Sequence, residues 1–308
     1  MTYAEQEAME IMMLFGKDGC KIMDSGGKDS TVLKHIAEKC HEKYGLEYSV
    51  HHNHTTLDAP ETVYFVRAER ERYRKAGVPY EIHYPKKTFG RLCIERGLLP
   101  TRIARFCCEE LKESYGNRER VVTGVRRNES ANRKANQGII TSIDATKKQV
   151  EEISGNPSFH LTGKGGVVLL NYDNDDAVQM VYTCFRTNKV LVNPLINWTD
   201  TDVWRCINDN KLPVNPLYHC GFDRVGCVGC PMAGKKRKRD FERYPKYKDR
   251  WIWIADQIVQ KKKKEGLKKY TDKNFEDGKA YFKFWMEDET MDGQLVLNPD
   301  GTITEYEI

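Results

Sequence analysis

No stretch of this chain is apolar for long enough to cross a bilayer, so no membrane partner is expected. The first residues, Met1 to Met13, mix Glu5, Glu7 and Glu10 with apolar side chains. They read as an amphipathic helix and lack the basic-then-apolar order of a secretion signal. No internal repeat is evident, and the lysine runs are the only low-complexity feature. The spacing G-x-x-x-x-G-K-[ST] is absent too, which excludes an ordinary P-loop ATPase. Ten cysteines without a secretion signal fit a reducing compartment, and the expected location is cytoplasmic. There, thiols more often bind metal or do chemistry than pair as disulfides.

What is present begins with length. The 308 residues suffice for one large or two ordinary domains. The net charge of +5 is unevenly spread, because Lys235 to Lys269 carries 15 Lys and Arg against 5 Asp and Glu. The remainder is slightly acidic.

The run Ser25-Gly26-Gly27-Lys28-Asp29-Ser30 stands where a short strand, Cys20 to Met23, hands over to a helix. Two glycines allow a sharp turn and close backbone approach to a ligand, and the helix adds the positive end of its dipole. Lys28 adds a charge, and Ser25 and Ser30 add hydroxyls. Together they form a pyrophosphate cradle on an exposed loop. Asp29 would repel the anion unless Mg²⁺ lay between them, so a metal-bridged nucleotide such as ATP·Mg²⁺ is the expected ligand. The run resembles the PP-loop of ATP pyrophosphatases, in which Lys28 and Asp29 would be catalytic.

Downstream the pattern alternates. A helix is expected from Asp29 to Tyr44, a strand from Leu46 to His54, and a helix opened by Pro60 and Glu61 running to about Ala76. Strands are expected at Val78 to Tyr84 and Arg120 to Val125. This rhythm implies an α/β fold, a parallel twisted sheet with helices on both faces, with the phosphate loop at the carboxyl end of its first strand. Residues 134–191 break the rhythm and read as an inserted β-containing segment on the ligand side, with strands near Val167 to Asn171 and Val181 to Phe185. Thr199 and Asp202 form a capping box in outline, starting a helix through Asn208. The expected domains are 1–234, holding the 134–191 insertion, and 235–308, a basic helical extension. That extension ends in a β-hairpin around Asn298-Pro299-Asp300-Gly301.

Cys107 and Cys108 are adjacent, and Cys227-Val228-Gly229-Cys230 follows far downstream. Neighbouring side chains diverge, so the vicinal pair suits separate corners of a [4Fe–4S] cluster better than one tetrahedral zinc, which remains the alternative. The other six cysteines are scattered, with Cys220 close to the CxxC pair. His51, His52 and His54 lie on an expected strand, where alternation of faces argues against a shared three-histidine site.

Further motifs widen the resemblance. They are Thr55 to Thr62; Arg105-Phe106-Cys107-Cys108 through Glu113; Gly124-Val125-Arg126-Arg127-Asn128-Glu129-Ser130 with Arg133; Asn193-Pro194-Leu195 with Trp198-Thr199; and Leu217-Tyr218 with Gly221 to Cys227. In this order, over about residues 15 to 235, they resemble the phosphoadenosine phosphosulfate (PAPS) reductase family. The resemblance implies an adenine-nucleotide hydrolase-like fold, and its cysteine pattern is similar to the [4Fe–4S] ligands of the iron–sulfur-dependent members. Arg126, Arg127 and Arg133 offer bidentate donors for phosphate or sulfate, with Arg126 and Arg133 the expected catalytic pair. Lys112 would face the cluster or an anion, and Asp58 and Glu61 would touch Mg²⁺ or ribose.

Two departures shape the expectation. Sulfonucleotide reductases use a cysteine near the C-terminus, and here none follows Cys230. Their loop usually lacks the full Ser-Gly-Gly-Lys-Asp-Ser form, the ATP-hydrolysing version. Both favour relatives that cleave ATP and use an iron–sulfur cluster in sulfur transfer. A sulfonucleotide reductase borrowing a thiol from Cys220 or a partner protein is the alternative. A non-catalytic nucleotide- and nucleic-acid-binding subunit is a third reading. For it, Lys235 to Arg239 and Lys261 to Lys264 would neutralise phosphates, with Tyr247, Trp251 and Trp253 as stacking surfaces.

Overall fold

The computed structural model describes every residue except 1, 17–18, 113–119, 144, 164–165, 186–187, 266–274, 288–294, 298–302 and 306–308. Among the described residues the chain opens with α1 (Tyr3–Gly16), β1 (Cys20–Met23), α2 (Lys28–Tyr44), β2 (Tyr48–Asn53), α3 (Pro60–Lys75), β3 (Tyr80–His83), α4 (Phe89–Arg96) and α5 (Phe106–Leu111). Next come β4 (Arg120–Val122), α6 (Ala131–Asn136), β5 (Ile140–Ser142), α7 (Lys147–Ile153), β6 (Phe159–Leu161), β7 (Val167–Leu169), α8 (Asp175–Cys184), β8 (Val190–Val192) and α9 (Asp200–Asp209). Last are α10 (Arg237–Arg243), α11 (Pro245–Glu265), α12 (Gly278–Glu287), β9 (Leu295–Leu297) and β10 (Ile303–Glu305).

Two compact units divide these residues. One comprises 1–85 and 109–226, the other 86–108 and 227–308. The basic C-terminal stretch shares its unit with α4 and the start of α5.

The first unit holds an eight-stranded sheet ordered β3-β2-β1-β4-β8-β5-β7-β6. From β3 to β8 the strands are parallel, whereas β5 and β6 run antiparallel to their neighbours. The 134–191 stretch thus prolongs the sheet beyond β8. Its second expected strand, Val181 to Phe185, is a correction: those residues belong to α8 and the turn after it. Val181 and Phe185 suggest strand by residue type, but Ala177, Val181 and Phe185 recur every fourth residue and are all buried. Asn174 caps the helix from its side chain, and Asp175 and Asp176 favour the first turn.

Local chemistry explains the elements around β1. Cys20 and Ile22 point inward while Lys21 and Met23 are half-buried. In α2, Val32, Leu33, Ile36, Ala37 and Cys40 form the buried stripe, and left-handed Gly45 (φ 71°) ends the helix. Pro60 stands at the first turn of α3, with basic Arg72, Arg74 and Lys75 in its last. Lys34 of α2 bonds Glu69 of α3 and lies over the rings of Tyr73 and Tyr80, which fixes both helices on one face.

In the second unit the core is aromatic. Trp251 stacks on Trp285 at 4.5 Å and lies 4.6 Å from Phe89, with Phe241 and Phe282 completing the cluster. Trp285 Nε1 donates to Pro100 O (2.7 Å), tying α12 to the loop after α4. β9 and β10 form the expected antiparallel pair, while its turn, Asn298 to Gly301, lies outside the described residues. No described helix is long and apolar enough to cross a membrane.

Candidate functional site

The PP-loop sits between β1 and α2, and a buried charge network holds it from below. Asp24, wholly buried, accepts from Gly26 N (2.7 Å), Ser30 Oγ (2.8 Å), Lys34 Nζ (2.7 Å) and Tyr80 OH (2.7 Å). Burial alone would raise its pKa, but the Lys34 ammonium and the other partners hold it well below the usual carboxylate range. Gly26 takes a left-handed turn (φ +71°), and a Cβ there would stand 3.0 Å from Thr62 Cγ2, so glycine is required. Buried Asn215 clamps the loop from above, donating to Gly26 O (3.2 Å) and Thr62 Oγ1 (3.1 Å).

The start of α2 carries no side-chain cap. The Lys28 N–H donates to Tyr218 OH (2.9 Å), and Gly27 N–H makes a long bond to Ser25 Oγ (3.4 Å). The first intrahelical bond is Thr31 N to Gly27 O, so the N–H groups of Asp29 and Ser30 have no partner within the helix. These donors, with the helix dipole, favour an anion. Lys28 departs from the expected exposed loop: it is 8% exposed.

Four charged side chains meet at this point. Arg126, 2% exposed, donates from Nε to Asp29 Oδ1 (2.6 Å) and from Nη2 to Asp200 Oδ1 (2.5 Å). Lys28 Nζ lies 3.4 Å from Asp29 Oδ2 and 3.5 Å from Asp200 Oδ1. Burial works against the charged guanidinium, but Asp29 and Asp200 outweigh it and raise the Arg126 pKa. For Asp200, burial works upward, while the Arg126 bond and the Lys28 charge hold it below the usual range. Gly124 makes this meeting possible, since a Cβ there would lie 3.1 Å from the backbone carbon of Asp29.

The other expected residues fall elsewhere. Arg127 donates to Gln137 O (3.2 Å) and Asn197 Oδ1 (3.0 Å). Arg133 pairs with Glu129 at 2.5 Å. Asp58 accepts from Thr55 N (2.7 Å) and Thr55 Oγ1 (2.8 Å), closing the turn before α3. Glu61 lies in the first turn of that helix, and Lys112 is exposed, its carbonyl accepting from Asn53 Nδ2. Asp200, Asn215 and Tyr218 have contacts here that sequence reasoning did not assign. Leu217-Tyr218 was singled out as a motif, but Asp200 was hidden inside a helix cap.

All four expected metal-binding cysteines lie in the second unit. Cys107 and Cys108 open α5, and Cys227 and Cys230 bracket a turn closed by Cys230 N to Cys227 O (3.2 Å). All four are half-buried, and none is in a disulfide. Interaction with Cys108, burial and the fields of Cys227 and Cys230 push the Cys107 pKa upward. Four thiolates on a tetrahedral zinc would stand about 3.8 Å apart. Among the described residues, the groups of three ligand atoms within 4.8 Å of one another include none of these cysteines. Four thiols of this kind are donors that either zinc or an iron–sulfur cluster accepts.

The basic runs are partly structural. Arg237 is 2% exposed, donates to Trp285 O (2.7 Å) and Met286 O (3.0 Å), and stacks on the Trp285 ring. It is therefore unavailable to a phosphate, which corrects the expectation for Lys235 to Arg239. Lys261 bonds the carbonyls of Ile94 and Glu95, and Lys263 that of Glu276. Trp251 is core, whereas Trp253 is exposed beneath Arg250. Lys235, Lys236 and Lys238 remain exposed.

Comparison with known proteins adds the following. A family model described as the phosphoadenosine phosphosulfate reductase domain matches residues 20–233. An uncharacterized protein of Methanocaldococcus jannaschii is 28% identical over 236 residues, 74% of this chain and 45% of that protein, so the chain spans less than half of this relative. Among solved structures, PAPS reductase from Candida auris, in a phosphate complex, is 16% identical with a TM-score of 0.43, covering 73% of this chain and 88% of that one. The U34-tRNA thiolase NcsA from Methanococcus maripaludis, with its [4Fe-4S] cluster, is 12% identical with a TM-score of 0.42, covering 86% and 80%.

Proposed function

The chain belongs to the phosphoadenosine phosphosulfate reductase domain family, and on that premise we propose that it is a cytoplasmic ATP pyrophosphatase serving [4Fe–4S]-assisted sulfur transfer. The observation that carries this reading is the meeting of Lys28, Asp29, Arg126 and Asp200 at the uncapped start of α2. The four charges cancel. A triphosphate arriving alone would face two carboxylates held by their own cations. Arriving with Mg²⁺, it offers those carboxylates a hard cation suited to oxygen ligands. Asp29 and Asp200 would hold the metal, and Lys28 and Arg126 would bind the phosphate oxygens.

The reaction follows from that exchange. An acceptor oxygen attacks the α-phosphorus, and the bond from that phosphorus to the bridging oxygen breaks. Pyrophosphate leaves with the negative charge that Lys28, Arg126 and the helix N–H groups stabilise. The acceptor is now an adenylate, and sulfur at the sulfide oxidation level displaces AMP. Cys107, Cys108, Cys227 and Cys230 would hold the cluster, which would supply an iron that binds the incoming sulfide. A partner protein is the proposed sulfur source, and exposed Lys235, Lys236 and Lys238 suit a nucleic-acid acceptor.

The test is pyrophosphate release by the full chain with ATP and Mg²⁺. Lys28→Ala and Asp29→Ala are expected to lose it while unfolding as cooperatively as the parent. Full turnover in either variant would place the chemistry elsewhere. A second reading, sulfonucleotide reduction, draws on exposed Cys220, in the same short helical turn as Tyr218, which touches Lys28. Sulfite release from a sulfonucleotide, lost in Cys220→Ser, would identify it.

A further inference from the structure

Toward the carboxyl ends of β2 and β3, these strands place three ligand-type side chains on one sheet face. The register pairs His51 with Glu81, and His83 follows two residues later on the same side of β3. His51 Nδ1 lies 3.0 Å from His83 Nε2, and Glu81 Oε2 lies 3.7 Å from each nitrogen. We propose that His51, Glu81 and His83 form a binding site for a divalent transition metal of the zinc type, independent of the nucleotide and cysteine sites.

Geometry carries this assignment. A circle through three atoms with those separations has a radius of about 2.0 Å, against roughly 2.0–2.2 Å for zinc–nitrogen and zinc–oxygen bonds. One cation at the centre therefore reaches all three atoms with almost no movement of their positions. Two imidazoles and one carboxylate are a common zinc donor set. The second nitrogen of His51 is already fixed, with Nε2 2.7 Å from Ser49 Oγ. Such an outer contact sets the tautomer and turns Nδ1 toward the metal.

The two rings share one hydrogen bond without metal. With His51 Nε2–H given to Ser49, His51 Nδ1 accepts and His83 Nε2–H donates. Metal entry moves that proton to His83 Nδ1 and frees Nε2, with a small turn of the ring and no net proton release. Lys21 repels a cation on this face, and the Glu81 carboxylate offsets it. Glu81 is 62% exposed in its side chain, so a metal can enter from solvent. Since β3 is the edge strand, the bound metal would pin it to β2.

The experiment is titration of cobalt(II), then zinc, into the full chain with its cysteine centre intact. The expected spectrum has visible ligand-field bands without the near-ultraviolet charge-transfer band of a cobalt thiolate, which separates this site from the cysteines. Zinc should raise Tm, as any ligand selective for the folded state does. His83→Ala and Glu81→Gln, at solvent-accessible positions, should weaken cobalt binding at least tenfold and remove the zinc-dependent shift. Ser49→Ala should cost roughly 10–100-fold in affinity. Absence of the bands, a purely thiolate spectrum, or unchanged binding in both ligand variants would overturn the proposal. Pyrophosphate release is not the readout, so either proposal can fail without the other.

Discussion

Replacing Arg126 by lysine keeps the charge and removes the fork. The guanidinium holds Asp29 through Nε at 2.6 Å and Asp200 through Nη2 at 2.5 Å, whereas an ammonium on a shorter head cannot span both. At least one charge-assisted bond is lost, worth about 1.5–3 kcal/mol. The Asp200 side chain is 65% exposed, so water replaces part of that bond and the lower end applies. A loss of about 1.5 kcal/mol corresponds to a Tm roughly 3–6 °C lower in a unit of this size. Catalysis should suffer more. If Arg126 turns to the phosphates in the transition state, removing one preorganised donor costs roughly 10²–10³ in rate. Thermal unfolding and steady-state pyrophosphate release at saturating ATP and Mg²⁺ measure both. Arg126→Lys should be a few degrees less stable and at least a hundredfold slower. A variant that loses the stability but keeps turnover within threefold would show Arg126 to be a strut between two helices and refute its role on phosphate.

Other consequences are equally specific. Burial works to raise Glu38, but hydrogen bonds from His35, Tyr73 and Arg72 outweigh it and lower its pKa to about 2. Against an unfolded value of about 4.3, that is about 3 kcal/mol of stability, present above pH 4.3 and lost as pH falls through 2. Denaturant unfolding should find Glu38→Gln weaker by about 2–3 kcal/mol at pH 7, with the gap closing between those pH values. Replacing Lys235, Lys236 and Lys238 together by Gln, and sparing buried Arg237, should flatten the salt dependence of any DNA or RNA binding by about 2–3 units of slope. Pyrophosphate release should be unchanged in that variant. Gly124→Ala, whose Cβ would stand 3.1 Å from the Asp29 backbone, should weaken ATP binding at least tenfold by calorimetry.

Local signals made much of this legible. The β1–loop–α2 unit, Pro60 at the start of α3, and the Thr199–Asp202 capping box follow from residues a few positions apart. Contacts between distant residues did not. Asn215 and Tyr218 reach the loop from about 190 positions away, and Asp200 meets Arg126 across 74. Arg237 lay within a run of five basic residues, where nothing in the sequence marks the one that turns inward onto Trp285. His51 was weighed only against His52 and His54, while its partner His83 stands on the next strand. Val181 and Phe185 misled because residue preference for strand gave way to a buried fourfold spacing.

The central claim is that ATP is cleaved between its α- and β-phosphates at the start of α2. The most direct measurement follows α-labelled ATP through a single turnover with Mg²⁺ and counts the labelled nucleotide against released pyrophosphate. Equal AMP or adenylate and pyrophosphate, without ADP or orthophosphate and absent from Lys28→Ala, is the expected result. Production of ADP and orthophosphate, or undiminished pyrophosphate from the Lys28→Ala protein, would contradict it.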